Sequence, residues 1–239
     1  MLEVCALTDP GRVRQSNQDS FRIVPDLGLY MLADGMGGAR GGARASTLAV
    51  ETVEKVVQRS EHRDAAALLL AVEAANDLVL AEASRDPNLE GMGTTIVAAL
   101  ETKANDIAIA SVGDSRAYVL QDGQLRAVTT DQTWVQEVGR GLGLDEASLR
   151  THPMRHVLTM AVGVGTAVRI LYYALELEPG DMLLLTTDGL HGVVPEDEIT
   201  RILKNTGPSL EAKCERLMAA AHAAGSPDNV TVMLIRPAQ

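Results

Sequence analysis

Apolar residues recur along this chain with two different periods, and the changes of period mark its elements. Residues 4–8 alternate as a strand does and stop at the turn signal Asp9-Pro10-Gly11. Residues 21–24 and the apolar run from Tyr30 are joined by Pro25-Asp26-Leu27-Gly28, which predicts an antiparallel pair. After Gly42 the period lengthens: Ala45, Leu48, Ala49, Val53, Val56 and Val57 fall on one helical face, with Glu51, Glu54 and Lys55 on the other. Asp64 is placed to cap a second helix whose stripe is Leu68, Ala71, Val72, Ala75, Leu78 and Val79. From Gly93 the strand period returns through residues 94–100, 106–112, 116–120 and 125–128. That run predicts an antiparallel meander, with hairpin signals at Gln121-Asp122-Gly123-Gln124 and at Gly113-Asp114-Ser115. Residues 168–177 and 182–187 read as strands around the turn Glu178-Pro179-Gly180-Asp181. Pro195 stands at the first position of a helix through Leu203, Ser209 caps a last helix, and residues 230–235 close the sheet.

Strands, two helices, a run of strands, two helices and a final strand form a segregated order. It predicts an α+β fold in which two packed antiparallel sheets carry helices on both outer faces, not a parallel doubly wound sheet. The 239 residues suffice for one sizeable core, so a single domain over 1–239 is expected. Residues 132–154 have weaker patterning broken by Gly139, Gly141 and Gly143, and read as a small flap over the site.

Composition narrows the classes of function. A net charge of -11 sets the chain against general attraction to nucleic acid or anionic membranes, and 3% aromatics leave few platforms for stacking bases. Cys5 and Cys214 lie in apolar contexts without metal-ligand spacing and read as free thiols of a cytoplasmic protein. The sequence holds no secretory leader pattern and no long uncharged apolar run.

The chemistry concentrates at strand ends. The apolar stretch from Tyr30 stops on Asp34, followed by Gly35, Gly37 and Gly38, whose small size lets backbone approach a ligand. Asp114, Asp188 and Asp228 sit in comparable places. Each Asp-Gly pair alone is an ordinary turn former, but four carboxylates gathered at the rim of one core repel unless a cation lies among them. Oxygen donors without a Cys/His cluster suit Mg2+ or Mn2+ and disfavour zinc; His152 and His156 are four apart, but Pro153 interrupts a shared helical face. A nucleotide loop is excluded, because Gly35-x-Gly37-x-x-Arg40 lacks the third glycine and no Gly-Lys-Ser/Thr follows. The residues therefore point to a two-metal hydrolase.

Six segments, in order, then carry a resemblance. They are residues 8–19 (Thr8-Asp9-Pro10-Gly11 through Asn17-Gln18-Asp19), Ala33-Asp34-Gly35-Met36-Gly37-Gly38, Gly91-Met92-Gly93-Thr94-Thr95, Val112-Gly113-Asp114-Ser115-Arg116, Thr187-Asp188-Gly189-Leu190 and Asp228-Asn229-Val230-Thr231. Together the chain resembles the bacterial members of the protein phosphatase 2C family, the metal-dependent PPM-type serine/threonine phosphatases. The resemblance implies a four-layer αββα sandwich with a binuclear Mn2+ or Mg2+ centre that activates a water or hydroxide for direct attack on a phosphomonoester. By that likeness Asp34 bridges both ions, Gly35 offers its carbonyl to one, and Asp188 and Asp228 hold the other. Asp114 would serve a third, weaker position, Asp19 would bind a metal or its water, and Arg14 would grip the substrate phosphate. Asn229 reads as an orienting residue. Phosphorylated Ser/Thr proteins are the implied substrates, and a cognate Ser/Thr kinase the implied antagonist.

The chain also departs from the family pattern. Gln18 stands where many members carry a glutamate, and Met36 and Ala39 stand where members often place a histidine, so a histidine general acid does not carry over from that motif. Arg40 and Arg44 read as exposed helix-start arginines rather than phosphopeptide ligands. Two other readings keep the same fold: a catalytically weak regulatory module that binds phosphoproteins, and a hydrolase of small phosphoesters.

Overall fold

The structure, a computed structural model, describes residues 2–103 and 105–238. Two antiparallel sheets lie face to face. One has the order β1 (Leu2–Asp9), β11 (Val230–Pro237), β10 (Met182–Thr186), β7 (Arg116–Gln121), β8 (Gln124–Ala127). The other runs β2 (Asp19–Val24), β3 (Leu29–Met36), β5 (Ile96–Lys103), β6 (Asp106–Val112), β9 (Leu171–Glu176), with β4 (Gly93–Thr94) paired to the end of β3. Helices α1 (Gly38–Arg59) and α2 (Ala65–Arg85) cover the second sheet. The short α3 (Glu146–Thr151) lies between β8 and β9, while α4 (Asp188–His191), α5 (Glu196–Lys204) and α6 (Leu210–Ala223) follow β10 and cover the first sheet. This is the expected four-layer αββα sandwich.

Strand alternation builds the layers. On β3, Leu29, Met31 and Ala33 point to the helices α1 and α2, while Tyr30 and Leu32 point between the sheets. There they meet Val119, Leu183, Leu185, Met233 and Ile235 of the opposite sheet. Asp64 and Ser209 cap α2 and α6 as expected, accepting hydrogen bonds from the amides of Ala67 and Ala212. Both thiols are free, and Cys214 Sγ donates to the Cys5 carbonyl oxygen at 3.6 Å.

Several local readings are corrected. The run from Gly93 is not one meander: β5 and β6 pair, but Gly113-Asp114-Ser115 carries the chain from one sheet across to the other instead of closing a hairpin. Periodicity of two is the same for a hairpin and for a crossing, so the pattern alone does not separate them. The last strand, β11, completes the first sheet from within, between β1 and β10. Pro195 is the residue before α5, where its extended backbone caps the helix rather than starting it. Leu78 stands exposed, because it lies roughly 80° from the centre of the stripe that Val79 completes. The segment between β8 and β9 runs over 128–170; Arg155, His156 and Leu158 from it line the cavity with the aspartates, and Thr133, Val135, Gln136 and Leu149 line the adjoining one.

Leu183 is fully buried between the sheets. Its replacement by alanine leaves a cavity with rigid walls on both sides, and urea unfolding is expected to show a loss of about 2–5 kcal/mol; a loss below about 1 kcal/mol would contradict this packing.

Candidate active site

One end of the sandwich gathers strand ends from both sheets. β2 begins on Asp19 and β3 carries Asp34, and the register sets these two residues directly opposite each other. Like charges facing across an antiparallel ladder destabilise it, so the pairing calls for a proton or a cation. Asp188 opens α4 immediately after β10, Asp228 precedes β11, and Asp114 sits in the crossing from β6 to β7. Arg14, Asp34, Gly35, Asp114, Asp188 and Asp228 line one open cavity of about 1140 Å³. Asp19 is buried beneath it.

Close backbone packing makes this convergence possible. A Cβ on Gly35 would lie 2.0 Å from the carbonyl oxygen of Gly42, and one on Gly189 would lie 1.9 Å from that of Asn229. Neither position admits a side chain without displacing neighbouring backbone, that of α1 at Gly35 and that of the lead into β11 next to Asp228 at Gly189. Threonines then fix the acids. Asp19 Oδ2 accepts from Thr187 Oγ1 at 3.0 Å and Thr231 Oγ1 at 2.6 Å, which ties β2 to the ends of β10 and β11. The Asp34 amide donates to Thr95 Oγ1 at 3.0 Å, and its carbonyl accepts from the Thr95 amide at 2.9 Å. Asn229 orients the Arg14 loop, as expected of it: its Nδ2 donates to the carbonyls of Pro10 and Ser16, and its Oδ1 accepts from the Gln18 amide.

The electrostatics are those of carboxylates that lack enough positive charge. Burial and the negative charges of Asp19 and Asp188 push the Asp34 carboxyl well above its ordinary range. Burial raises Asp19 to about 7, against the two threonine bonds that oppose the shift. Burial, then Asp188 and Asp131, raises Asp114 to about 8. Burial and then Asp228 raise Asp188, and the positive charge of Arg14 opposes the shift. Asp19 Oδ1 and Asp188 Oδ1 are buried without a hydrogen-bond partner. Orphaned carboxylate oxygens beside a raised carboxyl pair are what a hard divalent cation satisfies, so the donor set fits Mn2+ or Mg2+.

Arg14 Nη2 donates to Asp228 Oδ2 at 2.7 Å, and the Asn229 amide donates to Asp228 Oδ1 at 2.8 Å. Asp228 is thus held by other groups. Among the described residues no three His, Cys, Asp or Glu side chains close on one point as a ready ligand set. Small hard cations retain several waters and take few protein ligands each, which such an arrangement accommodates once Asp228 exchanges its arginine. Arg44 is bound to Glu82 of α2, its Nη2 donating at 2.8 Å, so it braces the two helices and does not reach the cavity.

Comparison with known proteins decides the relationship. The family model described as Protein phosphatase 2C matches residues 11–223. The chain belongs to the protein phosphatase 2C family. It is 35% identical over 241 residues to the serine/threonine phosphatase stp of Listeria welshimeri, covering 95% of this chain and 93% of that one. The crystal structure of the Mycobacterium tuberculosis serine/threonine phosphatase PstP/Ppp superposes with a TM-score of 0.90 at 33% identity, covering 100% of this chain and 99% of that one. A structure of the PstP catalytic domain in complex with two manganese ions superposes at 0.87 with 33% identity, covering 98% and 97%.

Within this phosphatase 2C fold, sequence reasoning missed Arg155 and His156. They line the cavity beside the aspartates, yet they sit in an unpatterned loop, where the sequence offers His156 only as half of a zinc pair with His152. Gln132 and Trp134 were equally invisible, since neither belongs to a chemical motif, while Thr95, Thr187 and Thr231 lie in the matching segments without a role of their own.

The raised carboxyls set a pH dependence for the metal-free protein. Folded Asp19 and Asp114 titrate near 7 and 8 against an ordinary value of 3.8, so between those limits the folded state holds more protons than the unfolded one. Their contribution is fully present below the ordinary value and is lost as pH rises through the folded values. In chelator, the thermal midpoint is expected to fall from pH 6 to pH 8.5, with a shallower fall in Asp114→Asn and in saturating Mn2+. A flat or rising midpoint in chelator would contradict the cluster.

Proposed function

We propose that the protein is a metal-dependent serine/threonine phosphatase, a single domain over 1–239 acting on phosphoproteins in the cytoplasm and opposing a Ser/Thr protein kinase. The observation that carries this reading is the gathering of Asp34, Asp114 and Asp188 at one cavity next to buried Asp19, with orphaned oxygens on Asp19 and Asp188, beside the Arg14 guanidinium that bonds Asp228. The family relationship supports the chemistry. Among the described residues no helix is long and apolar enough to cross a membrane, and the net charge of -11 disfavours polyanionic partners.

In this assignment Asp34 would bridge two cations, with the Gly35 carbonyl serving one and Asp188 and Asp228 the other. Asp19 would act through a water or directly, and Asp114 would serve a third, weaker position. Bound cations supply Lewis acidity, activation of a water and neutralisation of phosphoryl charge. The protein's own groups do the rest. Thr187, Thr231 and Thr95 hold the acids in register, and Asn229 fixes the loop that carries Arg14. When Asp228 exchanges its arginine, the guanidinium fork of Arg14 is left at the mouth to bind two phosphate oxygens. A regulatory module without turnover would bind Mn2+ and phosphopeptide yet release no phosphate, and a small-ester hydrolase would prefer such esters to phosphopeptides.

Phosphate release from a phosphothreonine peptide in Mn2+ is the test. Chelator is expected to abolish it, and Asp34→Asn to lower kcat by at least about 100-fold. Arg14→Ala is expected to lower kcat/KM by about 10- to 150-fold, the loss of charge-assisted hydrogen bonds. Full activity of Asp34→Asn would remove the assignment.

A further inference from the structure

We propose that His156 is a catalytic residue, the general acid that protonates the departing serine or threonine oxygen. The inference rests on the phosphatase reading above. In-line displacement puts the leaving oxygen on the side of phosphorus opposite the attacking oxygen. The attacking oxygen belongs among the carboxylates of the floor, so the leaving oxygen faces the mouth. An alkoxide of serine or threonine is a poor leaving group and gains from a proton delivered as the P–O bond breaks.

The ionisable residues lining the cavity are four aspartates, Arg14, Arg155 and His156. The aspartates are acceptors when they serve cations, and a guanidinium does not surrender its proton in a protein. His191 is no substitute. It lies outside this cavity, its Nε2 donates to the Asp114 carbonyl at 3.1 Å, and burial holds it well below its ordinary value and therefore neutral. That leaves the His156 imidazole as the one ionisable lining side chain among the described residues that is neither a carboxylate nor a guanidinium and can act as a proton donor.

His156 is also positioned. Its turn is pinned by three amide bonds: Arg155 to the His152 carbonyl at 3.1 Å, Val157 to the Met154 carbonyl at 3.0 Å, and Trp134 to the Val157 carbonyl at 2.8 Å. The His152 ring stacks on Trp134 with centroids 4.5 Å apart, and its Nδ1 accepts from the Met154 amide at 3.1 Å. His156 lines the cavity together with Asp34, Asp114, Asp188 and Asp228, and with Asp188 it also lines the adjoining cavity that reaches His191. The chain lacks a histidine at Met36 and Ala39; the His156 imidazole lines the same cavity as Met36.

The step balances. The attacking hydroxide oxygen forms its bond to phosphorus, the bond to the substrate oxygen breaks with its electron pair on that oxygen, and the His156 N–H proton moves there. The products are inorganic phosphate, the free hydroxyl and neutral imidazole, which regains a proton from solvent.

Leaving-group dependence tests it. His156→Asn and His156→Gln are expected to lose about 100-fold in kcat on a phosphothreonine peptide but less than about 3-fold on p-nitrophenyl phosphate, whose phenolate leaves without a proton. Mn2+ affinity by calorimetry and the thermal midpoint should match the unsubstituted protein, since the side chain is exposed and bonds no carboxylate. Equal losses on both substrates, or undiminished peptide turnover, would overturn the proposal. Failure of the unsubstituted protein on both substrates would instead sink the phosphatase reading itself.

Discussion

The structure is organised around a repulsion. Asp19 and Asp34 face each other across the first pair of strands, and Asp188, Asp114 and Asp228 are brought within electrostatic reach of the same point. Burial of charge without compensation is costly, and the protein meets that cost only in part with its own groups: threonine hydroxyls on Asp19, an amide on Asp228, an arginine at the mouth. The remainder is left for cations. A fold that wanted stability alone would place no such cluster at the end of its core.

The layers explain how the cluster is held. Side chains that alternate between two interfaces make each central strand rigid, so the carboxylates at the strand ends are fixed by packing many residues away. The glycines at 35 and 189 allow neighbouring backbones to approach closely where the acids must converge. Asn229 then couples the floor to the rim, because one side chain bonds both the Arg14 loop and the start of β2.

Much of this was legible in the chain. Asp34, Asp114, Asp188 and Asp228 were marked by apolar runs that begin or end on an acid, and the segregation of strands from helices predicts the layered architecture. The crossing at Gly113-Asp114-Ser115 was not legible, because a tight turn between two strands has the same local pattern whether the strands pair or separate. Leu78 belonged to a stripe by spacing and to the surface by angle. The arginine partners were equally hidden: Arg44 meets Glu82 and Arg14 meets Asp228 across long separations in sequence. His156 lies in an irregular loop, where function depends on what the loop folds against rather than on any periodic signal.

The central claim is that these acids converge in order to hold a pair of hard cations. Anomalous diffraction from crystals grown in Mn2+ tests it most directly. The account predicts two peaks about 3.5–4 Å apart, with Asp34 between them and Asp188 and Asp228 at one. Crystals saturated with Mn2+ that show no peak among these carboxylates, or peaks only at surface acids, would contradict it.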